Sequence, residues 1–539
     1  MNEEIAEYYE ELYRLYIDEN QPLERRYRQL RESLERVVRE RIQGNSLQTT
    51  DLAARINYVA TQYGLDLKEQ NQLHTFRLTS NDILNHRKSP VKEEFLRDLR
   101  AVAYAYRKMF AQDIPLKLFS VLPKQEIASS GKKEKMEYIR RIRVCFDYAD
   151  DTYLYVHPVD VIADEPIRVV YNKPGINHEF EETIKELWRY AQLNLLDVSV
   201  DRDGIYTPSF IVLEPDYLID ISSLAECYKD YGSHPANYFL SRLVPIDNAR
   251  PLLLGNIANL FLDEWIHAGE EEPDYIDCMK KAFRQYPIEL AACAELRDPS
   301  KEKEFAKDCR MHFEHIRDVV QHTFLEPGYN LDKKEAVLEP SYICEALGIQ
   351  GRLDYMQRDM SSFIEMKSGK ADEFSMQGKV EPKENNKVQM LLYMAVLEYS
   401  MGQDRRRMHP YLLYTRYPLL YPARASWAQV RRVINLRNRI VAAEYGVQFH
   451  NHPDFTRNLL AQINPEVVNE RKLSGRFWEQ YLKPSISRFR EKLSALEPLE
   501  QAYFYTLYNF ITKELYTSKS GDVDYEGRAG ASALWLSTL

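Results

Sequence analysis

At 539 residues the chain is long enough for about three domains, and a hydrophobic content of 44% supplies cores for them. A formal net charge of −10 excludes a uniformly basic nucleic-acid coat, so any phosphate binding has to come from local Lys and Arg contacts. Six scattered cysteines without a Cys-x-x-Cys spacing, a start Met1-Asn2-Glu3-Glu4 without a signal pattern, and no apolar run of membrane length point to a cytoplasmic protein with free thiols.

Residues 1–43 read as two charged amphipathic helices divided near Pro22, with Leu23, Tyr27, Leu30, Leu34, Val37 and Arg41 close to heptad spacing. Two accounts stay open: a helical hairpin packed on its own domain, or an arm that docks a partner or guides DNA. Helical texture continues over 65–110 with a break at Ser89-Pro90, which makes 1–123 a helical N-terminal region. A polar loop follows at 124–135. From 138 to 172 the texture changes to strands rich in Val, Ile and Tyr, with turns at 147–151 and 163–166, and helix is expected again over 179–192. Residues 136–210 therefore form a small β-rich module, either a binding barrel or a scaffold.

Chemistry concentrates at 351–393. The runs 349–356 and 362–366 alternate apolar and polar residues around a tight polar turn, as two short paired strands do. Side chains two apart on a strand share a face, so Glu365 and Lys367 point one way while Met366 points into the opposite layer. In hairpin register Asp354 lies beside them. A helix carrying Gln389 and Tyr393 one turn apart follows. Two carboxylates offer hard oxygen ligands to Mg²⁺ or Mn²⁺, which polarises a phosphoryl oxygen and activates water. Lys367 can orient that water or offset charge developing on the phosphorus. Glu-x-Lys alone carries little weight, since Glu381-Pro382-Lys383 and Glu470-Arg471-Lys472 match it too, and alternating charges also suit a solvated strand.

Asp354, Glu365-x-Lys367 and Gln389-x-x-x-Tyr393 together resemble the PD-(D/E)XK nucleases of the RecB type. The flanking runs 213–227, 252–259, 430–441 and 499–511 are similar, in order, to the nuclease half of the replication nuclease–helicases that trim Okazaki-fragment flaps. The resemblance covers roughly 205–515. It implies a mixed α/β, restriction-endonuclease-like core at 211–515, and a Mg²⁺- or Mn²⁺-dependent deoxyribonuclease acting on single-stranded or flapped DNA in replication, repair or defence. It also implies metal binding by Asp354 and Glu365, water activation at Lys367, and positioning by Gln389 and Tyr393.

Departures from that family are as informative. A metal-binding His normally stands four residues after the helix glycine; here Asn259 follows Gly255 at that distance, and is carried as a possible extra ligand. His267 reads as a surface or capping residue, and His312 and His315 as a solvated face in preference to a metal pair. The family often holds an iron–sulfur cluster on four cysteines. Cys227 falls at the first of those positions, but no cysteine follows Cys344, so no iron–sulfur cluster is expected. Arg405, Arg406, Arg407, Arg431, Arg432, Arg437 and Arg439 are candidate phosphate contacts. Tyr residues between 411 and 421 could stack bases, though core packing suits most of them better.

Residues 516–539 read as a connector. In the family a helicase motor follows, yet no Gly-x-x-x-x-Gly-Lys-Ser/Thr occurs, so a motor would belong to a longer protein or to a partner subunit. The competing reading is a nuclease fold that grips DNA or scaffolds a complex without cutting.

Overall fold

In the computed structural model, which describes residues 3–520 apart from 19, 43–51, 124–137, 161, 164, 245–248, 375–378, 425 and 451, the chain is mixed α/β. It divides into two units: Met1–Tyr217 with Val441–Thr456 and Tyr503–Leu539, and Leu218–Ile440 with Arg457–Ala502. Segments 441–456 and 503–515, expected inside the catalytic domain, thus group with the helical region and the β-rich module. Aromatic packing is the reason. Tyr445 stacks on Trp188 at 4.9 Å between ring centroids and meets Tyr217 and Tyr516 edge-on, so one cluster gathers the three segments of the first unit. The expected connector at 516–539 begins inside a helix that runs to Ser520; the rest of it lies outside the described residues.

Within the first unit, α1 (Glu3–Ile17), α2 (Leu23–Ile42), α3 (Leu52–Tyr63), α4 (Leu67–Leu84) and α5 (Lys92–Phe110) form a bundle. The heptad residues Tyr27, Leu30, Leu34 and Val37 are fully buried, in one core with Phe76, Phe95, Leu99 and Val102. The N-terminal hairpin therefore spends its apolar stripe on its own domain. Asp66 and Glu69 make a reciprocal capping box at the start of α4, and Ser89-Pro90 falls in the gap before α5.

The β-rich module comprises β1 (Tyr138–Ala149), β2 (Tyr153–Pro158), β3 (Ile167–Val170), β4 (Gln192–Val200), β5 (Tyr206–Thr207) and β6 (Phe210–Leu213). The order is β1-β2-β3-β5-β4, with β1 also paired to β4, so these five strands close into a ring; β6 pairs with β4. Helix over 179–192 is confined to a 3-10 turn at His178–Phe180 and the short helix Glu181–Lys185. The backbone of Tyr190 and Ala191 instead exchanges hydrogen bonds with Phe146, which extends the sheet and starts β4 at Gln192.

The second unit carries two main sheets. One is β7 (Ile219–Asp220), β10 (Ile349–Arg352) and β9 (Ser341–Cys344), in the order β7-β10-β9. The other has the order β16-β15-β12-β11-β8, from β16 (Leu419–Pro422), β15 (His409–Tyr414), β12 (Ser362–Lys367), β11 (Tyr355–Gln357) and β8 (Ala336–Leu338). Strands β12 and β15 run parallel; the remaining pairs of that sheet are antiparallel. A further hairpin pairs β13 (Asp372–Phe374) with β14 (Lys379–Glu381). Ile364, Met366 and Tyr355 join a core with Phe261, Trp265 and Phe313 from the helices Arg250–His267 and Pro299–Gln321. No described helix is long and apolar enough to cross a membrane.

Candidate active site

Strand periodicity sets the site. With Ile364 and Met366 turned into the core, Glu365 and Lys367 face the opposite side of β12. There they meet Gln389 of the Glu384–Met401 helix. Lys367 Nζ donates to Glu365 Oε1 and to Gln389 Oε1, both at 2.9 Å, and Gln389 Nε2 donates to the same Glu365 oxygen at 2.6 Å. The triangle fixes all three side chains. Tyr393, one turn further, donates to the Arg352 carbonyl at 2.6 Å and lies against Gly351, where a Cβ would come within 3.0 Å of the ring. Glycine at 351 is what admits that tyrosine.

Asp354 arrives differently from the expected continuous strand over 349–356. The run splits at Leu353-Asp354: β10 pairs in one sheet and β11 in the other. Tyr355 is paired with Ile364, and the next position back brings Asp354 opposite Glu365. Its Oδ2 accepts the Met366 N–H at 2.6 Å, and its carbonyl accepts the N–H of Glu339 at 3.1 Å. Glu339 sits at φ +49°, an uncommon conformation for a non-glycine residue and one that clusters at functional sites.

Burial and mutual repulsion dominate the electrostatics. Burial first, then the charge of Asp354, pushes the Glu365 carboxyl up to about 8. Burial likewise raises Asp354, against the pull of the Met366 N–H and Lys367. For Lys367, burial favours the neutral amine, but the charge and hydrogen bond of Glu365 outweigh it, so the ammonium is held protonated. Tyr393 is raised, chiefly by burial, and stays a neutral phenol.

A divalent cation suits this donor set. Glu365 Oε2 is buried and has no hydrogen-bond partner among the described residues, beside a second buried carboxylate. Such an atom is costly to leave unsatisfied, and a hard cation relieves both the orphan and the repulsion. Among the described residues no three His, Cys, Asp or Glu side chains are gathered as a ready cage. Mg²⁺ needs only one or two carboxylates when water and phosphate fill the remainder. Asn259 is half-buried and joins no hydrogen bond with Asp354 or Glu365 among the described residues, so the structure leaves it outside the bonded set.

Two acidic residues beside the site, Glu339 and Asp263, are not singled out by the sequence motifs. Asp263 lies one turn beyond Asn259 on the same stripe as Gly255, and Gly255 itself packs against Ser368. Burial raises the Asp263 carboxyl to about 6, with further contributions from Glu339 and Asp354. The only available signal was an acid one turn past the altered ligand position.

No protein-family model matches the chain, and no curated protein sequence matches it.

Several other candidates take structural roles. Arg437 is fully buried; its Nε donates to the Gly348 carbonyl at 3.2 Å and its Nη1 to Asn438 Oδ1 at 3.2 Å, so it holds a turn and not a phosphate. Arg431 is buried as well, Arg405 packs over Trp427, and Arg439 is half-buried, whereas Arg406, Arg407 and Arg432 are exposed. Tyr411 and Tyr414 are core residues, and the Tyr414 hydroxyl accepts from Asn386 and the Lys383 N–H. The solvated-face reading fails for His312, which is fully buried among apolar residues and pushed down to about 4 by that burial. His315 engages the Thr415 carbonyl at 3.0 Å, and exposed His267 engages the Asp263 carbonyl at 2.9 Å at its helix end. All six cysteines are buried and unbridged; Cys227 donates to the Ser223 carbonyl.

Proposed function

We propose that the second unit is a PD-(D/E)XK-type, Mg²⁺- or Mn²⁺-dependent nuclease that hydrolyses DNA phosphodiester bonds, with single-stranded or flapped DNA as substrate. One observation carries this reading. Glu365 has one oxygen tied to both Lys367 and Gln389 and the other buried without a partner among the described residues, with the Asp354 carboxylate opposite.

When bound between those carboxylates, a divalent ion would polarise the phosphate and make water more acidic. The side chains divide the remaining work. Asp354 and Glu365 supply the negative oxygens, and the Met366 N–H fixes the angle of the first. Lys367, held as an ammonium, donates to the attacking water or to the phosphoryl oxygen where charge grows. Gln389 braces the Lys367–Glu365 ion pair, because it accepts from one and donates to the other. Tyr393 buttresses the strand end that carries Asp354. Asn259 would offer its carbonyl oxygen as an extra ligand. If it contributes nothing, the alternative is a nuclease fold that binds DNA and cuts weakly or not at all.

Labelled single-stranded and flapped DNA, incubated with the purified chain in Mg²⁺ or Mn²⁺ against EDTA, tests this alongside Lys367→Ala and Asp354→Ala. Cleavage that needs the metal and both residues supports the proposal. Cleavage that ignores either one sinks it, and binding without cleavage supports the alternative.

A further inference from the structure

The β-rich module carries a surface that nuclease chemistry does not use. Register places Tyr148 of β1 opposite Tyr155 of β2, and Tyr155 opposite Arg168 of β3, in one cross-strand row. The two tyrosine rings stack face to face, with centroids 4.3 Å apart and planes 12° from parallel. Tyr153, two residues before Tyr155 and so on the same face, meets it edge-on at 6.5 Å, and the Arg168 guanidinium lies 5.7 Å from the Tyr153 ring. Tyr148 is 51% exposed and Arg168 is exposed too. The Tyr155 hydroxyl is oriented by the Asp150 carboxylate, which also accepts the N–H groups of Thr152 and Tyr153 in the β1–β2 turn. A folded sheet seldom leaves stacked aromatic faces to water without a use for them.

We propose that this row is a base-stacking platform for single-stranded nucleic acid. The ring order β1-β2-β3-β5-β4-β1, with β3 and β5 parallel and the short Glu181–Lys185 helix between β3 and β4, matches the OB type of small barrel. Such barrels take oligonucleotides or oligosaccharides across strands 2 and 3 and the loop between strands 1 and 2, which is where the row lies. Arg168 favours the first of these ligands. A guanidinium beside the rings, with no carboxylate partner among the described residues, suits a polyanion whose bases stack on Tyr148. Asp147 nearby is already paired with Arg189 and His157, while Asp150, Asp151 and, beside Arg168, Asp203 remain as opposing charges. Stacking therefore supplies more of the affinity than charge does. Only the choice of nucleic acid over sugar leans on the nuclease reading.

Fluorescence anisotropy with a labelled oligodeoxythymidine in EDTA tests the platform. Tyr148→Ala should weaken binding about tenfold, the effect of losing one stacked base, and Tyr148→Phe or Tyr148→Trp should restore it. Arg168→Gln should lower the salt slope by about 0.7. Equal affinity of Y148A and wild type overturns the proposal, and so does a loss that Y148F does not restore or competition by an oligosaccharide instead of by unlabelled DNA. Cleavage in Mg²⁺ is read separately, with Lys367→Ala as its control. A wild type that binds through Tyr148 but never cuts would leave the platform standing and remove the nuclease.

Discussion

The Asp354 carboxylate accepts the Met366 N–H at 2.6 Å, at the point where β10 has left one sheet and β11 has entered the other. The side chain thus does structural work in addition to any catalytic role. Asp354→Asn keeps an acceptor for Met366 and removes a buried charge; Asp354→Ala removes the acceptor as well. Both should lose cleavage by about a hundredfold or more. In thermal melts D354N should match or exceed wild type, and D354A should fall below D354N by about 1–3 kcal/mol for the orphaned N–H. Equal melting of the two variants would show that the bond to Met366 carries no weight.

Metal-free protein should lose stability as pH rises. Glu365 is pushed up to about 8, from about 4.3 in an unfolded chain. Between those values the folded state keeps a proton that the unfolded state releases, so stability is greatest at the acid end and falls through the window. Glu214, raised to about 7, and Asp98 and Asp263, each raised to about 6, act with the same sign. Melting in EDTA from pH 5 to pH 8 should show a shallower decline for Glu365→Gln than for wild type. Mn²⁺ added at pH 8 should raise the wild-type midpoint and leave E365Q unmoved. Parallel pH curves would remove Glu365 as the source.

Arg437 offers a control for the phosphate candidates. Gly348 has φ +64°, and a methyl group there would run into the Arg437 guanidinium. Gly348→Ala should cost about 1–3 kcal/mol, and Arg437→Ala about 3 kcal/mol or more, by stranding the Gly348 carbonyl. Neither should change the salt slope of DNA binding. A reduced slope in R437A would reinstate it as a phosphate ligand.

Tyr393→Phe separates positioning from proton transfer. The phenol is raised beyond the working range and its hydrogen goes to the Arg352 carbonyl. Y393F should lower kcat by tenfold at most, about the value of one lost hydrogen bond, with an unchanged pH–rate profile. A shifted profile would make the tyrosine an acid or base.

Much of this architecture was legible in the residues. The period-two runs located β11 and β12 and the faces of Glu365 and Met366, and Ser89-Pro90 marked a real break. The split at Leu353-Asp354 was not legible, because rough alternation runs on through 349–356 while the hydrogen-bonding partners change. Pattern reports which way a side chain points, not which sheet receives the backbone. Arg437 and His312 were misjudged for a related reason: a charged or polar residue in a polar helix reads as exposed until long-range packing closes over it. The helix expected over 179–192 lost to pairing with Phe146, a partner more than 40 residues away in the chain.

Strand β12 is hydrogen-bonded on both flanks, by β15 and by β11. The amides of Phe363 and Ile364, paired on both sides, can meet solvent only when the sheet opens, so they should exchange hydrogen among the slowest in their unit. Heating such a protein does not blur the geometry by degrees. Working shape persists up to cooperative collapse and is then lost in one step, so heat inactivation and unfolding should trace a single curve.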